Sequence, residues 1–93
     1  MRVNPNLVKE DKRLSSVMSE WQEKYSSSKS IVTHLKDNGF YGFSIRNLNV
    51  PFTPVTMQAI EEKKIFTNDE KTKFGSCVKM VDEDMLEIFV AFI

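Results

Sequence analysis

The stretch Met85-Leu86-Glu87-Ile88-Phe89-Val90-Ala91-Phe92-Ile93 is a nearly continuous apolar run, interrupted only by Glu87. It is short for a helix and rich in phenylalanine, isoleucine and valine, which predicts a buried β-strand. A strand this apolar must be covered, because an exposed apolar edge invites pairing with another chain. We therefore expect it either to lie centrally in a sheet or to pair with a partner, including a second copy in a homodimer.

Two further segments alternate with period two and predict strands. The first covers residues 40–48, and the second covers residues 74–80, where Phe74, Val78 and Met80 share one face. Ile65-Phe66 is expected to begin a strand, and residues 67–72 form a polar turn. Residues 50–52 are expected to be a loop, because proline disfavours a central strand.

The region before these strands predicts two helices. Residues 5–25 carry apolar side chains at spacings of three, four and seven, with Asn4 as the N-cap and Pro5 in the first turn. The serine run at 26–28 favours a turn. Residues 29–37 form a second, short helix with Ile31, Val32 and Leu35 directed inward, and Asn38-Gly39 ends it.

A third short helix is predicted between the strands. Thr53 is its N-cap and Pro54 its first residue, and it runs to about residue 64. The order is then α-α-β-α-β-β, which predicts a single α+β domain over residues 1–93. An N-terminal helical hairpin and the third helix would cover a small antiparallel sheet of three to four strands.

Composition excludes several classes of protein. The chain has 93 residues, with 13 Lys+Arg against 13 Asp+Glu and 41% hydrophobic residues. These values are ordinary for one globular domain and exclude collagen-like, low-complexity and multidomain chains. Counted from the sequence, residues 1–50 carry a formal charge of +3 and residues 51–93 a charge of −3. Neither half is the strongly basic domain expected of a nucleic-acid-binding protein.

The inventory of reactive residues is small. One cysteine, Cys77, excludes an intramolecular disulfide, and with one histidine, His34, it is too few for a structural zinc site with about four such ligands. The three glycines form neither a phosphate-binding loop nor a nucleophile elbow. We therefore expect no catalytic residues, no metal, no cofactor and no enzymatic activity. His34 and Cys77 are interpreted as packed structural residues.

The sequence also favours a location. No secretory signal is visible at residues 1–6, and the apolar run at 88–93 is far shorter than the about 20 residues of a membrane-spanning helix. A single cysteine without a disulfide framework fits a reducing compartment. We expect the cytoplasm and no membrane.

The densest charge cluster is Asp82, Glu83, Asp84 and Glu87. It lacks the glycine and the alternating ligands of a calcium loop. We interpret it as a solvated hairpin turn and as the candidate contact surface for a partner protein.

An alternative is a nucleic-acid-binding regulator that resembles a winged helix. The third helix would then read bases, and lysines near the wing would contact phosphates. The candidate residues are Thr56, Gln58, Lys63, Lys64, Lys71 and Lys73. Glu61 and Glu62 on the same helix count against it.

Small size, neutral charge and the missing catalytic motifs favour a protein-binding module. Such a module would act as an inhibitor or regulator by stoichiometric binding to another protein. Small inhibitors of the phage type share this size and lack of motifs, which is an analogy only.

Deleting residues 89–93 should abolish the fold, because the deletion removes half of the apolar run. Circular dichroism and thermal melting of the truncated chain measure this. A truncated chain that melts cooperatively at the temperature of the full chain would contradict the prediction.

Overall fold

The computed structural model describes residues 8–62 and 70–93, which form an α+β fold around a four-stranded sheet. The elements in chain order are β1 (Lys9–Glu10), α1 (Lys12–Glu20), a π-helical turn (Trp21–Tyr25), α2 (Ile31–Asp37), β2 (Ser44–Pro51), α3 (Pro54–Glu61), β3 (Lys73–Met80) and β4 (Met85–Phe92). The predicted order is confirmed, except that the short β1 precedes the helices. Because β1 runs parallel to β3, the sheet is mixed rather than antiparallel throughout.

Strand β4 lies inside the sheet, whose strand order is β1-β3-β4-β2. It pairs antiparallel with β3 on one side and with β2 on the other. Its residues Ile88, Val90 and Phe92 are almost completely buried. The predicted buried strand is confirmed, and its cover comes from within the chain. Strand β4 has no free edge at which a second copy of the chain could pair, because β2 and β3 occupy both of its edges.

The two faces of the sheet bury different clusters. We call the face that carries Cys77, Phe89 and Ala91 the helical face, because it packs against α1, the π-helical turn and α2. The helix side chains buried there are Leu14, Met18, Trp21, Ile31 and Leu35. The opposite face buries Phe74, Ile88, Val90 and Phe92, and Ile60 of α3 packs against that second cluster.

Helix α1 begins at Lys12 rather than near Pro5. Asp11 is its N-cap, and its carboxylate accepts hydrogen bonds from the backbone of Arg13 (3.0 Å) and Leu14 (3.1 Å). The Asp11 N–H itself donates to the Phe74 carbonyl (2.7 Å). The backbone just before the helix is therefore held as a strand along β3, and this pairing prevents the helix from extending backward. Asn4 and Pro5 lie outside the described residues.

The serine run forms the predicted turn. The backbone N–H groups of Ser28 (2.9 Å) and Lys29 (3.0 Å) both donate to the Tyr25 carbonyl, where the π-helical turn ends. The Trp21 indole donates to the Lys29 carbonyl (2.8 Å), which ties the turn to the buried tryptophan. These bonds satisfy groups that a helix C-terminus leaves unpaired.

Helix α2 ends as predicted, because Gly39 adopts a φ of 87°, a conformation that favours glycine. The prediction of its inward face was partly wrong. Val32 is 39% exposed, and His34 is buried beside Ile31 and Leu35 instead.

Strand β2 begins and ends later than predicted. Phe40 instead folds back toward the helices, where its N–H donates to the Leu35 carbonyl (3.0 Å). Pro51 belongs to the strand rather than to a loop. The Phe52 N–H donates to the Asp84 carbonyl (2.8 Å), on the side of β4. Because backbone groups alternate in direction along a strand, the backbone nitrogen of position 51 points to the free edge, where proline is tolerated.

Helix α3 has the predicted start. Thr53 is the N-cap and accepts a hydrogen bond from the Thr56 N–H (3.2 Å), and Pro54 is the first residue. The helix ends at Glu61, before the predicted residue 64. The strand expected at Ile65-Phe66 and the first part of the turn at 67–72 lie outside the described residues.

Gly75 allows α1 to lie directly on β3. A Cβ atom at Gly75 would stand 2.8 Å from the Ser15 backbone nitrogen and would also collide with the Leu14 side chain. At the same contact, the Ser15 hydroxyl accepts from the Ser76 N–H (3.0 Å) and donates to the Glu10 carboxylate (2.9 Å). The missing side chain thus permits both the packing and the bond between helix and strand.

Gly75→Ala should lower the free energy of unfolding by about 1–3 kcal/mol, because the added methyl group overpacks the contact between α1 and β3. Urea unfolding followed by circular dichroism measures the loss. Ser44→Ala, at an exposed position of β2, is the matched control and should change stability by no more than about 0.5 kcal/mol. Equal stability of the two variants would contradict the proposed contact.

Candidate functional site

The outer edge of β3 is only partly paired. Strand β1 pairs with its first two residues, Lys73 and Phe74. The next outward N–H, that of Ser76, is satisfied by the Ser15 hydroxyl. The backbone N–H and C=O groups of the odd-numbered residues of β3 bond to β4, as the bond from the Lys73 N–H to the Ile93 carbonyl (3.1 Å) shows. The backbone groups of the even-numbered residues therefore point outward, away from β4.

Beyond Ser76, no strand among the described residues pairs with this edge. Within the described part of the chain, the outward backbone groups of Val78 and Met80 have no hydrogen-bond partner. Three of the four side chains at positions 78–81 are apolar and accessible: Val78 is 39%, Met80 52% and Val81 55% exposed. The fourth, Lys79, is also exposed. We call residues 78–81 the open edge. An unpaired strand edge with apolar side chains is a template for pairing with another chain.

The edge at the other side of the sheet has a different character. In strand β2, the backbone groups of Asn47, Asn49 and Pro51 face the free side of the strand, and Pro51 has no N–H that could donate there. Polar side chains and proline are common protections of edge strands. The two edges therefore differ, and the open edge of β3 is the better candidate for strand addition.

A pocket of about 270 Å³ lies on the helical face, between the π-helical turn and the strands β3 and β4. Its lining residues are Trp21, Gln22, Ser26, Lys79, Glu87 and Phe89. Lys79 lies between the two exposed residues Val78 and Met80 in sequence. The pocket is therefore next to the open edge.

The polar groups of the pocket are unequally satisfied. The Glu87 carboxylate accepts a hydrogen bond from the Asn47 side chain (3.1 Å). The Lys79 ammonium makes no ion pair or hydrogen bond with any described residue, and the Gln22 Nε2 is buried without a partner there. Buried polar groups are normally hydrogen-bonded, and the Gln22 Nε2 is an exception. Lys79 is exposed, so its ammonium is accessible to an incoming acceptor.

The predicted acidic cluster is divided by the structure. Asp82, Glu83 and Asp84 are exposed in the hairpin turn between β3 and β4, where the Asp82 carboxylate accepts from the Asp84 N–H (2.8 Å). Glu87 lies further along β4, half-buried in the pocket. Among the described residues, no group of His, Cys, Asp and Glu side chains is arranged to hold a metal ion.

Among the described residues of the nucleic-acid alternative, three have side chains that already donate to or bond with other groups of the chain. Gln58 donates to Glu62 (3.0 Å), Lys71 donates to the Gly42 carbonyl (3.0 Å), and the Thr56 hydroxyl is bonded to that of Thr53 (3.1 Å). Lys73 is exposed where β3 pairs with β1. Lys63 and Lys64 lie outside the described residues. The tip of the β3–β4 hairpin is acidic, which would repel phosphate.

His34 is buried between the helices, at 3% exposure. Its Nε2 is 3.2 Å from the Glu20 carboxylate, and its ring lies 5.0 Å from that of Tyr25. Its Nδ1 is buried without a hydrogen-bond partner among the described residues.

Cys77 is buried under α1 on the helical face. Burial raises the pKa of its thiol to about 11, and the nearby Glu87 carboxylate contributes to the increase. The thiolate is the reactive form of cysteine, so this thiol is protonated and unreactive at neutral pH. The interpretation of Cys77 as a packed residue is confirmed.

Comparisons of this chain with protein-family models, curated proteins and solved structures found no match. None of the helices in the described residues is long and apolar enough to cross a membrane.

Sequence reasoning missed the open edge and the pocket. It identified Val78 and Met80 as one face of a strand, but a strand pattern does not show which neighbours pair with it. The deciding feature is that β1 is only two residues long. Nothing in the sequence of Lys9 and Glu10 indicates a strand, because both side chains are charged and exposed.

The Cys77 thiol should not react with a disulfide reagent such as DTNB in the folded protein at neutral pH, because it is both buried and protonated. In guanidinium chloride the same thiol should react within the mixing time of the assay. The absorbance of the released thiolate measures both rates. Equal rates in the folded and unfolded protein would show that Cys77 is accessible.

Proposed function

We propose that this chain is a small non-enzymatic protein-binding module that binds a partner protein stoichiometrically through the open edge of β3. The observation that supports this is the combination of unpaired backbone groups at Val78 and Met80 with accessible apolar side chains. In strand addition, backbone hydrogen bonds supply affinity, and the flanking side chains supply specificity.

The acidic turn adds to this surface. Asp82, Glu83 and Asp84 directly follow the open edge and are exposed. Charges at the rim of an interface change the association rate and its salt dependence more than the final affinity. They would steer a partner with basic residues at the corresponding end. A binder of this kind acts as an inhibitor or regulator by occupying its partner's surface, and the cytoplasm is the expected location.

A proline placed in the open edge should abolish partner binding. Val78→Pro removes an N–H that faces outward and bonds to no described residue, so it blocks strand addition without breaking the ladder to β4. The measurement is affinity capture from the source lysate after nuclease treatment, with quantification of each recovered protein by mass spectrometry. A stoichiometric partner of the unmodified chain should fall at least about tenfold with the variant.

Asn49→Pro is the matched control, because it removes an outward N–H from the other edge of the sheet. It should leave capture of the partner unchanged. Circular dichroism of both variants verifies that they are folded. Equal capture by both variants would contradict binding through the open edge. Loss of the captured material on nuclease treatment would instead favour the nucleic-acid-binding alternative.

A further inference from the structure

The ammonium group of Lys79, in the pocket beside the open edge, forms no ion pair with a described residue. Lys79 lines the pocket, and the nearest carboxylate among the lining residues, Glu87, is already bonded to Asn47 (3.1 Å). Glu87 is directly opposite Lys79 on β4, so it flanks the lysine on the inner side of β3. The outer side of Lys79 is the open edge, where no described residue pairs with the strand.

The register of an added strand determines which of its side chains reaches this cation. Successive residues of a strand point to opposite faces, so the residue opposite Lys79 points to the helical face, beside the pocket. The residues before and after it point to the other face, next to Val78 and Met80. The open edge therefore places one side chain near a cation and its two neighbours on apolar surface.

A second copy of the chain fits this edge poorly. In the antiparallel register in which two copies both use the Val78 and Met80 backbone, Lys79 of each copy would stand opposite Lys79 of the other. Like charges directly opposite in neighbouring strands are destabilising, whereas opposite charges are stabilising. The charge pattern favours a segment of a different protein.

We propose that the open edge binds an extended segment of a partner protein that carries Asp or Glu opposite Lys79, with an apolar residue on each side of it. The carboxylate pairs with the Lys79 ammonium at the mouth of the pocket. The two apolar residues cover Val78 and Met80. This inference rests on the proposed function and adds the chemistry of the bound segment.

Defined peptides test the inference without knowledge of the natural partner. The probe is a peptide of alternating valine and threonine with a central Glu flanked by two valines and with a lysine at each end for solubility. The comparison peptides carry Gln or Lys at the centre. Titration into the isotopically labelled protein, followed by NMR, gives both the affinity and the residues in contact.

The Glu peptide should bind about two- to fivefold more tightly than the Gln peptide, which is the range expected for one pair of opposite charges across strands. Its signals of contact should be the backbone amides of Val78 and Met80 and the side-chain amide of Gln22. Lys79→Glu should reverse the order, so that the Lys peptide binds best. Lys36→Glu, at an exposed position of α2 outside the pocket, should keep the preference for Glu.

Three results would overturn the inference. Equal affinity of the Glu and Gln peptides would remove the acidic preference, while a partner lost with Val78→Pro would still support the proposed function. Contact signals at Asn47 and Asn49 instead of Val78, or no binding by any of the three peptides, would remove the open edge as a site for such a segment. The proposed function is tested separately by the lysate experiment, in which equal capture by Val78→Pro and Asn49→Pro would contradict it.

Discussion

The contact of α1 with β3 at Gly75 is the constraint on which the rest of the structure depends. The helix lies so close to the strand that no side chain fits at position 75. The same contact brings the Ser15 hydroxyl to the Ser76 N–H (3.0 Å), at the point where β1 ends and the helix begins. It therefore determines how closely α1 packs against the sheet. It also determines where β1 ends and from which residue β3 has no neighbouring strand among the described residues.

The open edge and the pocket are consequences of this geometry. Strand β1 is short because the chain turns into a helix at Asp11, whose N–H makes the last bond to β3. The helix then crosses above the strand rather than beside it, so no residue in 8–62 or 70–93 pairs with the outer edge of β3 from Val78 onward. The π-helical turn carries Trp21 and Gln22 over the far half of β3 and β4, where the pocket forms. Along β3, the residues from Phe74 to Cys77 are buried or partly buried, and the residues from Val78 to Met80 are exposed.

Much of the fold was predictable from local patterns. The apolar run at 85–93 indicated a buried strand, alternation indicated β3, and the pairs Asn38-Gly39 and Thr53-Pro54 marked helix boundaries. These signals depend on backbone preferences and on burial, which act over a few residues. The errors occurred where a partner distant in the sequence competes with the local pattern. Pairing with β3 holds Lys9, Glu10 and Asp11 out of the helix, and the edge position of β2 permits Pro51 within a strand.

The candidate site shows the same division. Asp82, Glu83, Asp84 and Glu87 were grouped by their nearness in sequence, but period two places Glu87 on one face of β4, away from the exposed turn. Lys79 received no role in the sequence analysis. The role proposed for it depends on the pocket that it shares with Gln22 and Glu87 and on the lack of a described strand beside it.

The sequence alone determined the class of the fold and the presence of a buried strand at 85–92, because these follow from side-chain chemistry and short-range periodicity. Only the tertiary structure decided which strand edge is covered and which is open. That outcome depends on a helix packing against a glycine sixty residues away, and no local pattern records a contact of this kind.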